Sequence, residues 1–367
     1  MLALAEYQDL IHLNDPFPLP VDDTRKWHDV LMTALTGLPN KHYTGTSSVL
    51  HLATDEALLR WLQAELTQLD PGPLDPITER AINSALLRVS GAHGRVEGAH
   101  LRRVAEIFPR CDYPQATHTA LYLGDIRQLV VDAVVNSALP NLTGCRIPLH
   151  GCLDSEIHLQ AGPWLRNDCA AIMELLAQKA AASNPAVLAA GVTARVDMGV
   201  ESQCPLGVTA EQGVTAASSV PQKHDLPELP GGGATLNSEH EPPSGIVART
   251  GTAYITRGYR MPARYLIHTV PPELNGAEPM QRQREFLRDC YWNSLELARA
   301  KGDVRTIAFP ALSTGMNGFP FEEAARIALR TVDDWLRVHE AALDLVLFSV
   351  HNDEDLATME RVLTSWI

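Results

Sequence analysis

The feature that most constrains the fold is an alternation, after Pro114, of short β-branched runs with longer amphipathic stretches. This alternation is typical of α/β proteins, whose chain passes repeatedly between a sheet and the helices that cover it. We therefore predict an α/β fold with helices on both faces of the sheet. The predicted strands are residues 118–123, 130–135, 264–270, 304–309 and 343–350, and the predicted helices are residues 155–182, 279–300, 320–338 and 353–365.

The chain before this region has a helical pattern. Between residues 24 and 104 apolar side chains recur at intervals of three and four, and Asp55 is a candidate N-cap for the second helical run. This part of the sequence contains no recognisable chemical motif. We therefore predict a helical N-terminal extension, residues 1–111, packed on an α/β domain, residues 112–367.

Residues 183–247 interrupt the alternation with many Pro, Gly, Ser and Ala residues. They include three consecutive glycines, at 231–233, and three copies of Gly-Val-Thr-Ala. A segment of this composition buries too little apolar surface to offset the entropy lost on ordering. We therefore predict a mostly disordered surface insertion.

The composition narrows the classes of partner. The formal net charge of -14 and the absence of a long Lys/Arg run argue against direct binding to nucleic acid. No apolar stretch is long enough to span a bilayer, and the N-terminal residues lack a targeting pattern, so we expect a cytoplasmic or nuclear protein without a membrane partner. The six cysteines are scattered and do not suggest a disulfide framework. We expect a monomer.

The most informative segment runs from Asn136 to His158. Cys145, His150 and Cys152 form the pattern Cys-x4-His-x-Cys, and thiolates and imidazoles are ligands that suit zinc. Three protein ligands with an open fourth position characterise catalytic zinc sites, whereas buried cysteines with an incidental surface histidine are the alternative. Asp154 is a candidate helix N-cap, a candidate general base, or both. His158 is interpreted as a packed residue rather than a ligand.

Two further segments suggest a nucleotide cleft. Asp125 follows a predicted strand within Gly124-Asp125-Ile126, at the strand end where open α/β sheets bind ligands, although such turns are also common as simple caps. A glycine-rich stretch, residues 312–320, lies between a predicted strand and a predicted helix. That arrangement aims backbone N–H groups at one point and favours a diphosphate, and an ordinary connecting loop is the alternative.

Six motifs occur in a characteristic order: Gly-Asp-Ile; Val-Asp-Ala-Val-Val-Asn; Gly-Cys-x-x-Pro-x-His-x-Cys-x-Asp; Ala-Gly-Pro; Gly-Tyr-x-Met-Pro-x-x-Tyr-Leu-Ile-His-Thr; and Ser-Thr-Gly-x-x-Gly-Phe-Pro. In this order, across about residues 112–360, the sequence resembles the zinc-containing macrodomains of bacteria and fungi. The helical N-terminal segment also resembles the usual extension of that family. The resemblance implies a three-layer αβα macrodomain with a mixed sheet, one Zn²⁺ per chain, and hydrolysis of ADP-ribose from modified proteins.

The resemblance also implies roles for single residues. Cys145, His150 and Cys152 would bind zinc, and Asp154 and Asn136 would be catalytic. The implied ADP-ribose contacts begin with Asp125, whose carboxylate would accept a hydrogen bond from the adenine amine. The complete implied ADP-ribose set is Asp125, Ile126, Asn136, Gly144, Ser313, Thr314, Gly315, Met316, Asn317 and Phe319.

One position departs from the family pattern. Most macrodomains have Val-Asn-Ala-Ala-Asn here, and the second Asn contacts the distal ribose, but this chain has Leu139. A leucine side chain cannot hydrogen-bond a hydroxyl, so ribose orientation or linkage preference is expected to differ, with Asn141 as a candidate substitute. The alternatives to a mono-ADP-ribosyl-protein hydrolase are a non-catalytic ADP-ribose reader and a hydrolase of O-acyl-ADP-ribose.

Overall fold

The computed structural model describes residues 1–17, 23–39, 50–92, 94–183, 246–274 and 276–366. Its centre is a six-stranded sheet with the strand order β2-β8-β7-β4-β6-β5. A short parallel pair, β1 with β3, lies outside this sheet. The strands are β1 Val96–Glu97, β2 Thr119–Leu123, β3 Leu129–Val130, β4 Ala133–Ser137, β5 Ala253–Arg257, β6 Tyr265–Thr269, β7 Thr306–Pro310 and β8 Leu345–Val350.

The sheet is mixed, because five strands are parallel and the edge strand β5 runs antiparallel to β6. The parallel strands therefore all end at one edge. The loops after β2, β8, β7 and β4 lie side by side there, in that order. With neighbouring strands about 4.8 Å apart, the loops after β2 and β4 are separated by roughly 15 Å.

Helices cover the sheet, which confirms the α/β prediction. Strands β4 and β7 are almost wholly buried, as expected for strands that have helices on both faces. The helices are α1 Trp27–Gly37, α2 Asp55–Gln68, α3 Pro76–Ala92, α4 Val104–Ile107, α5 Leu153–Ala161, α6 Pro163–Ser183, α7 Gln281–Lys301, α8 Phe321–Val338 and α9 Asp353–Thr364.

Three local predictions were wrong. The single helix predicted over residues 155–182 is two helices, because Gly162 adopts φ 92° and the following Pro163 cannot continue the hydrogen-bonding of α5. Thr54, not Asp55, caps α2, since its side chain accepts from the amide of Ala57. Strand β5 was missed, although its alternation of β-branched and aromatic residues is a strand pattern.

The N-terminal residues contribute to two separate cores. Helices α1 to α3 enclose their own apolar cluster, which contacts the main domain through Leu159 and Trp164. The first residues of the chain instead pack into the main core, where the hydroxyl of Tyr7 accepts a hydrogen bond from the amide of Ile255 at 3.0 Å. The boundary predicted at residue 111 stays a prediction.

The predicted insertion lies, from residue 184 to residue 245, outside the described residues. Ser183 ends α6, and Ile246 and Val247 lead towards β5. Within the described ranges, no helix has the length and apolar character needed to cross a membrane.

Candidate active site

The loop after β4, residues 138–152, brings together the three candidate metal ligands, and we call it the cysteine loop. Ligand atoms of Cys145, His150 and Cys152 all lie within 4.8 Å of one another, and Cys145 Sγ is 3.3 Å from His150 Nδ1. Ligand atoms around a tetrahedral zinc ion are about 3.5 Å apart. Cys145 is buried while His150 and Cys152 are half-buried, so the cluster remains open on one side. The donor set fits zinc.

Unusual backbone conformations give the cysteine loop its shape. Leu142 and Leu149 adopt φ 57° and 55°, a left-handed conformation that costs a leucine about 1–2 kcal/mol. Gly144 adopts φ 86°, and a Cβ atom there would lie 2.7 Å from the ring of His158. The loop therefore stores strain that the surrounding packing must hold, which is common in segments that present a site.

The cysteine loop ends at the N-terminus of α5. Cys152 is the N-cap, and its Sγ accepts from the amide of Ser155 at 3.4 Å. The prediction that Asp154 caps this helix was therefore wrong, because Asp154 lies inside the first turn. The neighbouring thiol of Cys145, together with burial, raises the pKa of Cys152. A bound cation would offset that repulsion by stabilising both thiolates.

The two candidate catalytic side chains, Asp154 and Asn136, are in direct contact. Asn136 Nδ2 donates to Asp154 Oδ1 at 2.7 Å, and the amide of Leu139 donates to Oδ2 at 3.3 Å. Burial raises the pKa of Asp154 to about 6, against the opposing effect of these donors. Asn136 Oδ1 is buried and has no hydrogen-bond partner among the described residues. The pair therefore offers an anchored carboxylate beside an unused acceptor.

The loop after β7, residues 311–320, contains the segment predicted to bind a diphosphate through backbone N–H groups. We call it the glycine loop. Ser313 adopts φ 67°, and its hydroxyl donates to the carbonyl of Pro272. Within the described part of the chain, the amides of Gly315, Met316 and Asn317 have no hydrogen-bond acceptor. These are the free donors that an anion requires. Thr314 is half-buried beside them.

The side chains of Phe319 and Ile126 are buried, as are those of Asn136 and Asp154. Phe319 is 2% exposed and Ile126 is 0% exposed, so both rest in the main core. The glycine loop closes through the amide of Phe319, which donates to the carbonyl of Ser313. The roles of Phe319 and Ile126 as ADP-ribose contacts stay predictions.

Asp125 caps a short 3₁₀ turn at the far end of the same sheet edge. Its carboxylate binds Arg127 through both oxygens, and Arg127 also pairs with Glu156 of α5. Hydrogen bonds from Arg127 outweigh partial burial and lower the pKa of Asp125. About 23% of the Asp125 side chain remains exposed, which leaves one face for a ligand amine.

A small cavity of about 20 Å³ lies at the ends of β7 and β8, beneath helices α8 and α9. Its lining includes Pro310, Ala311 and Thr314 from the glycine loop and its strand, and Ser349 and Val350 from β8. A cavity of this size has room for about one water molecule.

Comparison with known proteins agrees with this architecture. The family model described as "Macro domain" matches residues 232–328. The chain is 31% identical over 244 residues to a protein-ADP-ribose hydrolase of Treponema medium, covering 66% of each chain. It is 30% identical over 236 residues to a protein-ADP-ribose hydrolase of Staphylococcus aureus, covering 64% of this chain and 62% of the relative. The chain thus spans slightly less than two thirds of the length of these curated relatives.

The chain has the α/β fold of a macrodomain. A solved structure of the Trypanosoma brucei macrodomain in complex with ADP-ribose is similar, with 24% identity, a TM-score of 0.47, and coverage of 79% of this chain and 91% of that chain.

The macrodomain holds a second Cys/His cluster that the sequence did not reveal. Ligand atoms of His158, Cys169 and His268 also lie within 4.8 Å of one another, and all three residues are buried. His158 Nε2 is 3.6 Å from Asp154 Oδ1, beyond hydrogen-bonding distance. His268 belongs to the motif Tyr-Leu-Ile-His-Thr, but the motif alone gave it no role. Only the pairing of β4 with β6 places it beside Asn136.

Proposed function

We propose that this macrodomain hydrolyses the bond between ADP-ribose and modified proteins, with zinc bound by the cysteine loop. The order of the loops along the sheet edge carries this proposal. The Asp125 turn, the glycine loop and the cysteine loop follow β2, β7 and β4 in that spatial order. An adenine site, a diphosphate site and a reactive ribose site would therefore succeed one another over roughly 15 Å.

Binding of the nucleotide would use fixed donors and acceptors. The exposed face of Asp125 would accept from the adenine amine, and the free amides of Gly315, Met316 and Asn317 would donate to the diphosphate. The left-handed Gly144 allows the cysteine loop to approach the same phosphates closely. Because backbone donors do not need a basic protein surface, an acidic protein can still bind this anion.

Cys145, His150 and Cys152 would hold one zinc ion beside the distal ribose. When bound by three protein ligands, zinc supplies a Lewis-acidic open position and lowers the pKa of a coordinated oxygen. The half-buried position of the cluster leaves that side accessible to substrate.

Asp154 and Asn136 would act on the water. The water oxygen bonds to the anomeric carbon while its proton passes to Asp154. The bond from that carbon to the modified protein then breaks, and its electron pair and a proton go to the protein heteroatom. Asn136 Oδ1, which lacks a partner among the described residues, would accept from the water or a ribose hydroxyl, and its Nδ2 would keep the carboxylate in place.

Leu139 remains the departure from the family pattern. Its amide donates to Asp154, and its side chain is 43% exposed and carries no polar group. Asn141 Oδ1 accepts from the amide of Thr143 at 3.1 Å, which leaves its Nδ2 group as the candidate substitute for the missing amide. We expect weaker control of the distal ribose at this position.

The test is release of ADP-ribose from mono-ADP-ribosylated proteins of defined linkage. Asp154→Asn should lower the rate by about 10²–10⁴-fold while leaving the affinity for free ADP-ribose within about threefold. Asp168→Asn is the matched control, because Asp168 is also buried but interacts with Tyr259 and Arg257. An equal loss in both variants would contradict the role of Asp154.

The same assay separates the alternatives. A macrodomain that binds ADP-ribose but releases none at high protein concentration would be a reader. Preferential cleavage of O-acyl-ADP-ribose would identify a metabolite hydrolase. Full activity after complete removal of zinc would rule out the part assigned to the metal.

A further inference from the structure

A column of buried polar side chains lies beneath Asp154. Asn136 Nδ2 donates to Asp154 Oδ1 at 2.7 Å and lies 3.1 Å from His268 Nδ1. His268 Nε2 is in turn 3.0 Å from Thr256 Oγ1. Asn136, His268 and Thr256 are all 0% exposed. The column crosses three neighbouring strands, β4, β6 and β5, and Asn136 is directly opposite His268 in the strand register.

The chemistry of each group decides which partner donates and which accepts each hydrogen bond along this column. We assign the hydroxyl of Thr256 as the donor to the carbonyl of Arg257, 3.2 Å away, which leaves its oxygen to accept from His268 Nε2–H. Complete burial lowers the pKa of His268 to about 3, so the ring is neutral and carries one N–H. With the proton on Nε2, Nδ1 is an acceptor. It faces the amide NH₂ of Asn136.

The acceptor on His268 decides the orientation of the Asn136 amide. The NH₂ group has two hydrogens, and both are used, one by Asp154 and one by His268. The opposite orientation would place the amide oxygen against a carboxylate and against an imidazole lone pair. Either contact is unfavourable in a dry interior.

We propose that His268 is a positioning residue that, through Asn136, fixes Asp154 and leaves Asn136 Oδ1 as an unpaired acceptor for the water or the substrate. This inference rests on the proposed function, in which Asp154 and Asn136 act on the attacking water. His268 itself touches no substrate. Cys169 Sγ, 3.8 Å from His268 Nε2, fills the space beside the ring.

The test replaces His268 with three side chains that keep a polar atom at the Nδ1 position, at the Nε2 position, or at neither. In His268→Asn an amide oxygen occupies the position of Nδ1 and can accept from Asn136. In His268→Gln the polar group lies near the position of Nε2, and the Nδ1 position is lost. His268→Leu removes both. We expect kcat for the Asn variant to stay within about threefold of the wild type, and kcat for the Gln and Leu variants to fall by about 10–100-fold.

Ligand affinity and metal content should not change in these variants. The Kd for free ADP-ribose and the zinc content should remain within about twofold in all three variants, because the adenine, diphosphate and metal contacts lie elsewhere. Thermal unfolding of each variant separates positioning from folding. If kcat follows the melting temperature, or if the Asn variant loses as much activity as the Leu variant, His268 has only a packing role.

A spectroscopic measurement tests the hydrogen bonds without using activity. The ¹⁵N shifts of the His268 ring should show a neutral ring protonated on Nε2 in the wild-type protein. A ring protonated on Nδ1 would overturn the inference. If the wild-type protein releases no ADP-ribose, the proposed function fails, and the ring tautomer still decides whether His268 donates to Thr256 and accepts from Asn136.

Discussion

Two clusters of Cys and His side chains lie in one macrodomain. In each, the ligand atoms of three residues lie within 4.8 Å of one another. In the first, Cys145, His150 and Cys152 lie on a strained loop, and two of the three are partly exposed. In the second, His158, Cys169 and His268 are fully buried, and both ring nitrogens of His268 already have hydrogen-bonding partners. Proximity of ligand atoms is therefore insufficient to identify a metal site.

Exposure and the hydrogen bonds of His268 distinguish the two clusters, although both ring nitrogens of His158 lack a hydrogen-bond partner among the described residues. An ion entering the second cluster would have to displace the hydrogen bonds of His268 and enter beside Arg166, a buried cation whose charge acts on both His158 and Cys169. An ion entering the first relieves the repulsion between two neighbouring thiolates and leaves an open position. We therefore expect the first to bind metal and the second to support Asn136 and Asp154.

The largest expected effect is on metal content. Purified protein should contain one zinc per chain, and Cys145→Ser or Cys152→Ser should lose both the zinc and the hydrolase activity. Zinc at a hundred times its Kd stabilises the folded state by about 3 kcal/mol, so a chelator should lower the melting temperature of the wild type. Cys169→Ser is the matched control and should keep its zinc. Two zinc ions per chain would show that the second cluster also binds metal, contrary to this expectation.

A smaller effect is expected where the two clusters touch. Gly144→Ala places a Cβ atom 2.7 Å from the ring of His158, at a residue with φ 86°. We expect it to lower the free energy of unfolding by about 1–3 kcal/mol and to weaken zinc binding. Gly151→Ala is the control, because its Cβ would meet no atom within 4 Å. Equal effects in urea denaturation would mean that the clusters are not coupled through this contact.

The smallest effect concerns Asp168, which precedes Cys169 in α6. Burial raises the pKa of Asp168 to about 6, although the hydroxyl of Tyr259 and nearby Arg257 oppose this shift. A carboxyl group with a raised pKa stabilises the folded state below about pH 4, and this contribution is lost as the pH rises through 6. The difference in unfolding free energy between pH 4.5 and pH 7 should shrink by about 1–3 kcal/mol in Asp168→Asn. An unchanged difference would show that Asp168 titrates normally.

The sequence predicted the fold class and five of the six strands of the main sheet. The central strands were found because short buried β-branched runs separated by amphipathic stretches have few other interpretations. The strand at residues 253–257 was missed because it follows the long Gly/Pro/Ser-rich segment. The helix break at Gly162 was missed because apolar periodicity continues on both sides of it.

The candidate site was predicted in part. The spacing of Cys145, His150 and Cys152 within one loop restricted their separation, so local sequence was informative. His268 and Thr256 were not predicted, because each contacts a residue on another strand, far away in sequence. The contact of Arg127 with Asp125 is local, but its second contact, with Glu156, depends on where α5 packs.

The sequence alone determined the alternation of strands and helices and placed three zinc-type ligands in one short loop, because both depend on spacings along the chain. Tertiary structure decided the strand order that brings the Asp125 turn, the glycine loop and the cysteine loop to one edge of the sheet. It also decided that one Cys/His cluster stays open while the other is enclosed beneath Asp154. Burial and hydrogen-bond partners arise from contacts between distant segments, and no local pattern specifies them.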